Sequence, residues 1–176
     1  MARLLPRALL VGALLLPGTG APADRWTLFE SEFDEQRKSW SEIEAQLPAY
    51  PRPENLIPFD AGPVTSNRFY IDAPSLSVGA DGVVRYTLLI RGSGGATNIS
   101  FEGIRCFTHE QKLYATGRSD GKWARARDPV WREIVYKDMN RYHWSLFDDY
   151  FCVDQRRTAS LKQIVDTLKR ESHRLR

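Results

Sequence analysis

The chain has 176 residues, with 25 Lys+Arg against 22 Asp+Glu. Arg3 and Arg7 belong to an N-terminal leader, so the remainder carries 23 bases against 22 acids, a balance that excludes a general attraction to nucleic acid. Beyond the leader no stretch is long and apolar enough to cross a bilayer, which takes roughly 20 apolar residues in a helix, and what remains is the length of one ordinary domain.

The leader reads MARLLPRALLVGALLLPGTGAPA. Arg3 and Arg7 supply a positive start, Ala8 to Leu16 a short apolar core, and Ala21-Pro22-Ala23 a small-residue cleavage signal. Residues 1–23 are therefore expected to be an export signal cleaved near Ala23, delivering residues 24–176 to the periplasm as a single domain with no transmembrane segment. Next, Phe29, Phe33, Trp40, Ile43 and Leu47 fall on one face of a helix with charged residues between them, which predicts an amphipathic N-terminal helix stopped by Pro48. The stretch PAYPRPENLIP, residues 48–58, predicts an extended, proline-stiffened connector.

The middle of the chain is strand-like. RFYIDAPSLSVG carries turn chemistry at Asp72-Ala73-Pro74, and GADG before Val83 predicts a hairpin turn. In VVRYTLLIR the residues Val84, Tyr86, Leu88 and Ile90 face one way, and Arg85, Thr87 and Arg91 the other. Ile99 and Phe101 share odd parity, whereas Ile104 and Cys106 share even parity; this slip predicts a β-bulge at Glu102-Gly103. KLYATG continues as a strand that turns at GRSDGK, and the succession predicts a curved antiparallel sheet. From Trp123 the pattern turns helical or irregular. The final stretch places Leu161, Ile164, Val165 and Leu168 on one helical face, with Ser160 and Gln163 spaced as a capping box. Arg170, His173, Arg174 and Arg176 suit that helix's C-terminal end. The expected fold class is α+β: a curved antiparallel sheet with an N-terminal helix, C-terminal helices and one disulfide.

Cys106 and Cys152 are the two cysteines, and an even pair in a chain bound for an oxidising space predicts a disulfide. In the chain-entropy view such a loop stabilises the fold by roughly 4 kcal/mol.

Taken together, DGVVRYTLLI, NISFEGIRCFTHEQKLYATGRSDGKW and DDYFC resemble the cryptic neisserial protein-like (CNP-like) family of small exported proteobacterial proteins. The matching blocks are Asp81 to Thr87, Glu102 to Cys106, Tyr114-Ala115 with Gly117, Gly121 to Trp123, and Tyr150 to Cys152, within roughly Trp40 to Cys152. The resemblance implies export and one domain, and it brings no catalytic residues to carry over.

Candidate chemistry is sparse. His109, His143 and His173 are scattered, and Cys106-x-x-His109 falls short of the four ligands of a structural zinc site, so no metal and no cofactor are expected. A Cys–His nucleophile would need a free thiol. RGSGGATN lacks the Lys-Ser/Thr of a phosphate loop, and no G-x-S-x-G elbow occurs. Two surfaces are candidates for binding. One gathers Trp123, Arg125, Arg127, Trp131, Arg132, Arg141 and Trp144, aromatics interleaved with arginines that suit sugar rings or anionic polymers. The preferred role for those tryptophans is to plug a small core beneath arginine stems. The other is the basic face of the last helix, suited to an anionic membrane or acidic partner, with an ordinary solvated helix the preferred reading. The expected function is a non-enzymatic exported domain that binds or scaffolds an envelope component, a protein or polysaccharide. The alternative is a hydrolase of envelope polymers working through Asp148, Asp149 or Glu102.

Overall fold

Val83–Arg91 is buried on both of its faces from Val83 to Leu89, so the sheet it belongs to needs a cover on each side. The computed structural model describes residues 39–62, 66–136 and 141–175. Within them the stretch from Ser41 to the C-terminus forms one unit. Its strands are β1 (Leu56–Phe59), β2 (Arg68–Val78), β3 (Val83–Arg91), β4 (Thr97–Arg105), β5 (Glu110–Gly117), β6 (Trp123–Arg125) and β7 (Arg132–Glu133). They pair antiparallel in the order β1-β2-β3-β4-β5-β6, with β7 also on β5. Helix α1 (Arg141–Ser145) runs into a wider π-type turn over Leu146–Phe151. A small ribbon of β8 (Cys152–Val153) with β9 (Arg157–Thr158) follows, and then α2 (Leu161–Ser172).

The glycine turns fall where expected. Gly82 takes φ +76° in the β2–β3 hairpin, where its N–H reaches the carbonyl of Gly79. Other expectations change, and the stretch from Trp123, expected to be helical or irregular, adds β6 and β7 to the sheet through β5. Asp72-Ala73-Pro74 does not turn the chain: β2 continues, with its register shifted between Asp72 and Ser77, where Pro74 has no N–H to offer a ladder. Leu56–Phe59, expected as connector, is an edge strand on β2. The bulge sits in β5 rather than at Gly103, because β4 pairs without a break with β3. Phe101 faces Ala115 and Glu102 faces Leu113, which leaves Tyr114 as the extra residue. The parity change in β4 instead records two apolar faces. Gly103 is needed because a Cβ there would stand 2.7 Å from Tyr114 Oη.

Tyr86, Leu88 and Ile104 project to one side, against Leu146, Phe147, Phe151, Ile164 and Leu168 from the helices. Each such fully buried apolar side chain is worth roughly 1.5–3 kcal/mol. The Cys106–Cys152 disulfide joins the end of β4 to the end of the π-type turn, with Cα atoms 5.6 Å apart. The capping box forms as expected, Ser160 Oγ accepting from Gln163 N–H. Leu161, expected to dock α2, is 42% exposed, and Ile164 and Leu168 do the packing.

The other side carries a smaller core of Ala45, Phe101, Tyr114 and Ala115, flanked by Leu47 and Trp123. Its cover is an extended strap, residues 41–50. The expected N-terminal helix lies outside the described residues up to residue 38, and from Ser41 to Leu47 the chain is not helical. The physical reason is that its backbone bonds elsewhere. Ile43 N–H donates to Asp81 Oδ2 at 2.9 Å, and its carbonyl accepts from Arg85 Nη2 at 2.7 Å. No helix among the described residues is long and apolar enough to cross a membrane.

Candidate functional site

Glu102 sits on the helix-covered face of β4, opposite Tyr86, so its carboxylate enters an apolar layer. Such burial is tolerated only when hydrogen-bond donors surround the charge. Tyr86 Oη donates at 2.9 Å and Ser100 Oγ donates to the other oxygen. His143 Nε2, brought in by α1, lies 2.8 Å away and donates because the carboxylate can only accept. Burial by itself would push this carboxyl up, but His143, Ser100 and Tyr86 hold it below its ordinary value. The same burial, with the Glu102 charge beside it, drives the Tyr86 phenol well up. Tyr86, Ser100 and His143 all bond the one carboxylate, which makes the cluster a polar lock within the core.

Across the sheet, Asp81 and Arg85 form a two-pronged pair, Nη1–Oδ1 3.1 Å and Nη2–Oδ2 2.6 Å, that also grips Ile43. Glu42 of the strap accepts from Lys112 Nζ at 2.7 Å, Tyr114 Oη at 2.8 Å and Trp131 Nε1 at 3.1 Å. Trp123 Nε1 donates to the Pro48 carbonyl at 2.9 Å, and its ring lies beside Tyr50 and Phe101. Of the aromatic–arginine candidates, Trp123 and Trp131 thus both engage the strap. Arg125 and Arg127 are exposed on the same stretch, and Arg125 helps line a shallow cavity of about 320 Å³ with Glu42 and Lys112. Trp144 belongs to the opposite face, packed on Phe147 and Tyr136. The structure does not bring it together with Trp123 and Trp131.

The carboxylates divide as well. Glu102 is interior, and Asp148 is exposed and accepts from Gln155 Nε2 at 2.8 Å. Asp149 lines a polar cleft of about 440 Å³ between the end of β1, α1 and α2. Asp60, Arg141, Thr167, Arg170 and Glu171 share that lining, and Tyr150 lies in its wall. The Asp149 carboxyl is raised by burial and by the neighbouring Asp148 and Asp60 carboxylates, which outweigh the pull of Arg141. Arg141 is set in place from two sides. Its guanidinium carbon stands 4.9 Å from the Tyr136 ring centre, and its Nε lies where a Cβ on Gly62 would be only 2.6 Å away. Gly62 takes φ +90°, and its N–H donates to Asp60 Oδ1 at 2.7 Å.

Sequence reasoning named Asp149, Arg141 and Arg170 but in different candidate sites, and it missed Asp60 and Gly62. Asp60 and Gly62 lie about 80 to 110 residues before Arg141, Asp149 and Arg170, and no spacing rule joins the two groups. Gly62 lies just beyond the expected connector of residues 48–58, and only the fold shows what stands over the glycine. Among the described residues no group of His, Cys, Asp and Glu is arranged to hold a metal ion. One family model, that of the CNP1-like family, matches residues 35–169, a span that includes the whole sheet and both cysteines. No curated protein and no solved structure matches the chain.

Proposed function

This chain belongs to the CNP1-like family, and we propose that it is an exported, non-enzymatic binding module of the cell envelope whose ligand occupies the cleft between β1 and the two helices. One contrast carries the reading. The Glu102 and Asp81 carboxylates are bonded to His143 and Arg85 inside the fold, whereas Arg141 and Asp149 face a common cleft and form no ion pair among the described residues. A charge that is held in place and unmatched suits a ligand, and a proton-transfer group needs a substrate within reach that the buried set does not have. The leader over residues 1–23 and the Cys106–Cys152 disulfide support delivery to an oxidising compartment.

A hydrolase is the second reading, favoured by the raised carboxyl of Asp149 with Asp60 lining the same cleft. The other two acids first nominated with it, Glu102 and Asp148, lie outside that lining.

The test uses the full chain expressed with its leader. N-terminal sequencing of the exported protein is expected to begin at Asp24 or within a few residues, and an uncleaved chain retained in the cytosol overturns the address. Native mass spectrometry after exposure to the low-mass fraction of an envelope extract is expected to find a bound compound that Arg141→Gln loses. Absence of any adduct, or one that persists in the variant, overturns the cleft as the binding site.

A further inference from the structure

We infer that the cleft takes a small zwitterion, a molecule carrying both a carboxylate and a protonated amine, as an amino acid or the ends of a short peptide do. This rests on the binding reading above and narrows it to a ligand class.

The argument begins with which charges the cleft leaves over. Glu171 is held by Arg174 at 3.0 Å and lies 3.8 Å from Arg170, whose Nη2 also donates to Thr167 Oγ1 at 3.1 Å. Those groups satisfy one another. What remains of the charged lining is Arg141, Asp149 and Asp60. Asp60 has one oxygen committed to Gly62 N–H.

Arg141 is preorganised for a carboxylate. With its Cζ 4.9 Å from the Tyr136 ring centre and its Nε and Cζ close over Gly62, the guanidinium is held between two supports. Gly62 is required twice over. Its φ of +90° disfavours a side chain, and a Cβ would stand 3.2 Å from both Cδ and Cζ of Arg141. Asp149 lines the same cleft with the Asp148 and Asp60 carboxylates as charged neighbours, surroundings that an ammonium group relieves.

The pairing also selects against simpler ligands. A plain anion that reaches Arg141 meets the two carboxylates, and a plain amine that reaches Asp149 meets the guanidinium. A molecule with both charges answers both. The cleft, about 440 Å³, has room for an amino acid or a short peptide.

The experiment titrates alanine, alanyl-alanine, acetate and ethylamine into the mature, disulfide-bonded protein, following the amides of Gly62, Arg141 and Asp149 by NMR. Saturable binding of at least one zwitterion is expected, with acetate and ethylamine weaker by about tenfold or more. The stronger of alanine and alanyl-alanine identifies a free amino acid or a peptide end as the source. Arg141→Gln and Asp149→Asn are each expected to weaken binding about tenfold. Gly62→Ala is expected to weaken it too, although it removes neither charge. Circular dichroism and the retained disulfide check that each variant is folded, and the two side-chain variants decide the matter if the glycine variant is not. Acetate binding as tightly as the zwitterions, no saturation by either zwitterion, or variants that bind like wild type would each overturn the inference. A bound envelope compound that Arg141→Gln loses, with neither zwitterion binding, removes the ligand class and leaves the binding reading standing.

Discussion

On the helix side of the sheet, Tyr86, Leu88, Ile104, Phe147 and Phe151 form a broad apolar layer, and the carboxylate among them, Glu102, is closed by His143. On the strap side, Phe101, Tyr114 and Ala115 make a much smaller layer, and the cover is held by particular polar bonds: Ile43 to Asp81 and Arg85, Glu42 to Lys112, Pro48 to Trp123. Apolar burial spreads its stabilisation over many contacts, while a strap without a β-ladder depends on a handful of bonds. The two covers should therefore fail in different ways. The helix cover should resist until the domain unfolds, and the strap should open locally.

The largest test of that difference is the disulfide. Replacing both Cys106 and Cys152 by Ser is expected to cost about 4 kcal/mol in urea unfolding, the chain-entropy value for a loop of 46 residues. Amide exchange should quicken over residues 141–153 more than over the strap, and equal quickening on both sides would break the comparison.

Next is the polar lock. His143→Ala strands a buried carboxylate and is expected to cost about 3 kcal/mol. The lock also predicts a pH dependence. Glu102 and Asp81 are buried at their carboxylates and Glu42 partly so, which alone would raise all three, yet their bonded partners hold them below their ordinary values of 4.5, 3.8 and 4.5. The unfolded chain therefore takes up these protons first. The stability they contribute is complete above about pH 4.5 and falls as the pH drops through the folded values. Asp149 and Asp72, raised by burial, work in the opposite sense and offset part of the loss. Urea midpoints measured from pH 7 to pH 3 should show the fall, and Glu102→Gln should flatten it.

Smaller again is Glu42→Gln, which weakens three bonds of the strap and is expected to cost about 1 kcal/mol. Limited proteolysis should then cut within residues 41–50 while the sheet stays intact. A variant that unfolds as a whole at the same denaturant concentration as its proteolysis sets in would mean the strap is no separate unit. The smallest effect is a gain. Thr87 Oγ1 is buried without a hydrogen-bond partner among the described residues, so Thr87→Val should stabilise by up to about 1 kcal/mol, read as a higher melting temperature.

How far each region could be read from sequence follows the range of the forces involved. The strands β3, β4 and β5, the glycine turns and the Ser160–Gln163 cap were legible because alternation, positive φ and N-capping act over a few residues. The disulfide was legible from an even cysteine count and the expectation of export. The segment Ile43–Leu47 misled, since its apolar spacing suits a helix, and only the Asp81–Arg85 pair 38 or more residues away claims its backbone. Gly103 misled in a more informative way. It was correctly marked as a special position, but the cause is the ring of Tyr114 on the next strand.

The site shows the same division. Trp123 and Trp131 stood out by residue type, and their indole N–H groups turn out to bond Pro48 and Glu42, 75 and 89 residues away. Glu102 stood out as a lone acid, and its partner His143 lies 41 residues on. By itself the sequence determined the local elements, the cysteine pair and the family, all of which rest on neighbours along the chain or on ordered blocks. The tertiary structure alone decided that the sheet has two different covers, that Glu102 is locked by His143, and that Gly62, Arg141 and Asp149 meet in one cleft. Those facts depend on side chains brought together across the fold, where burial removes water and leaves each charge to find whatever partner the packing provides.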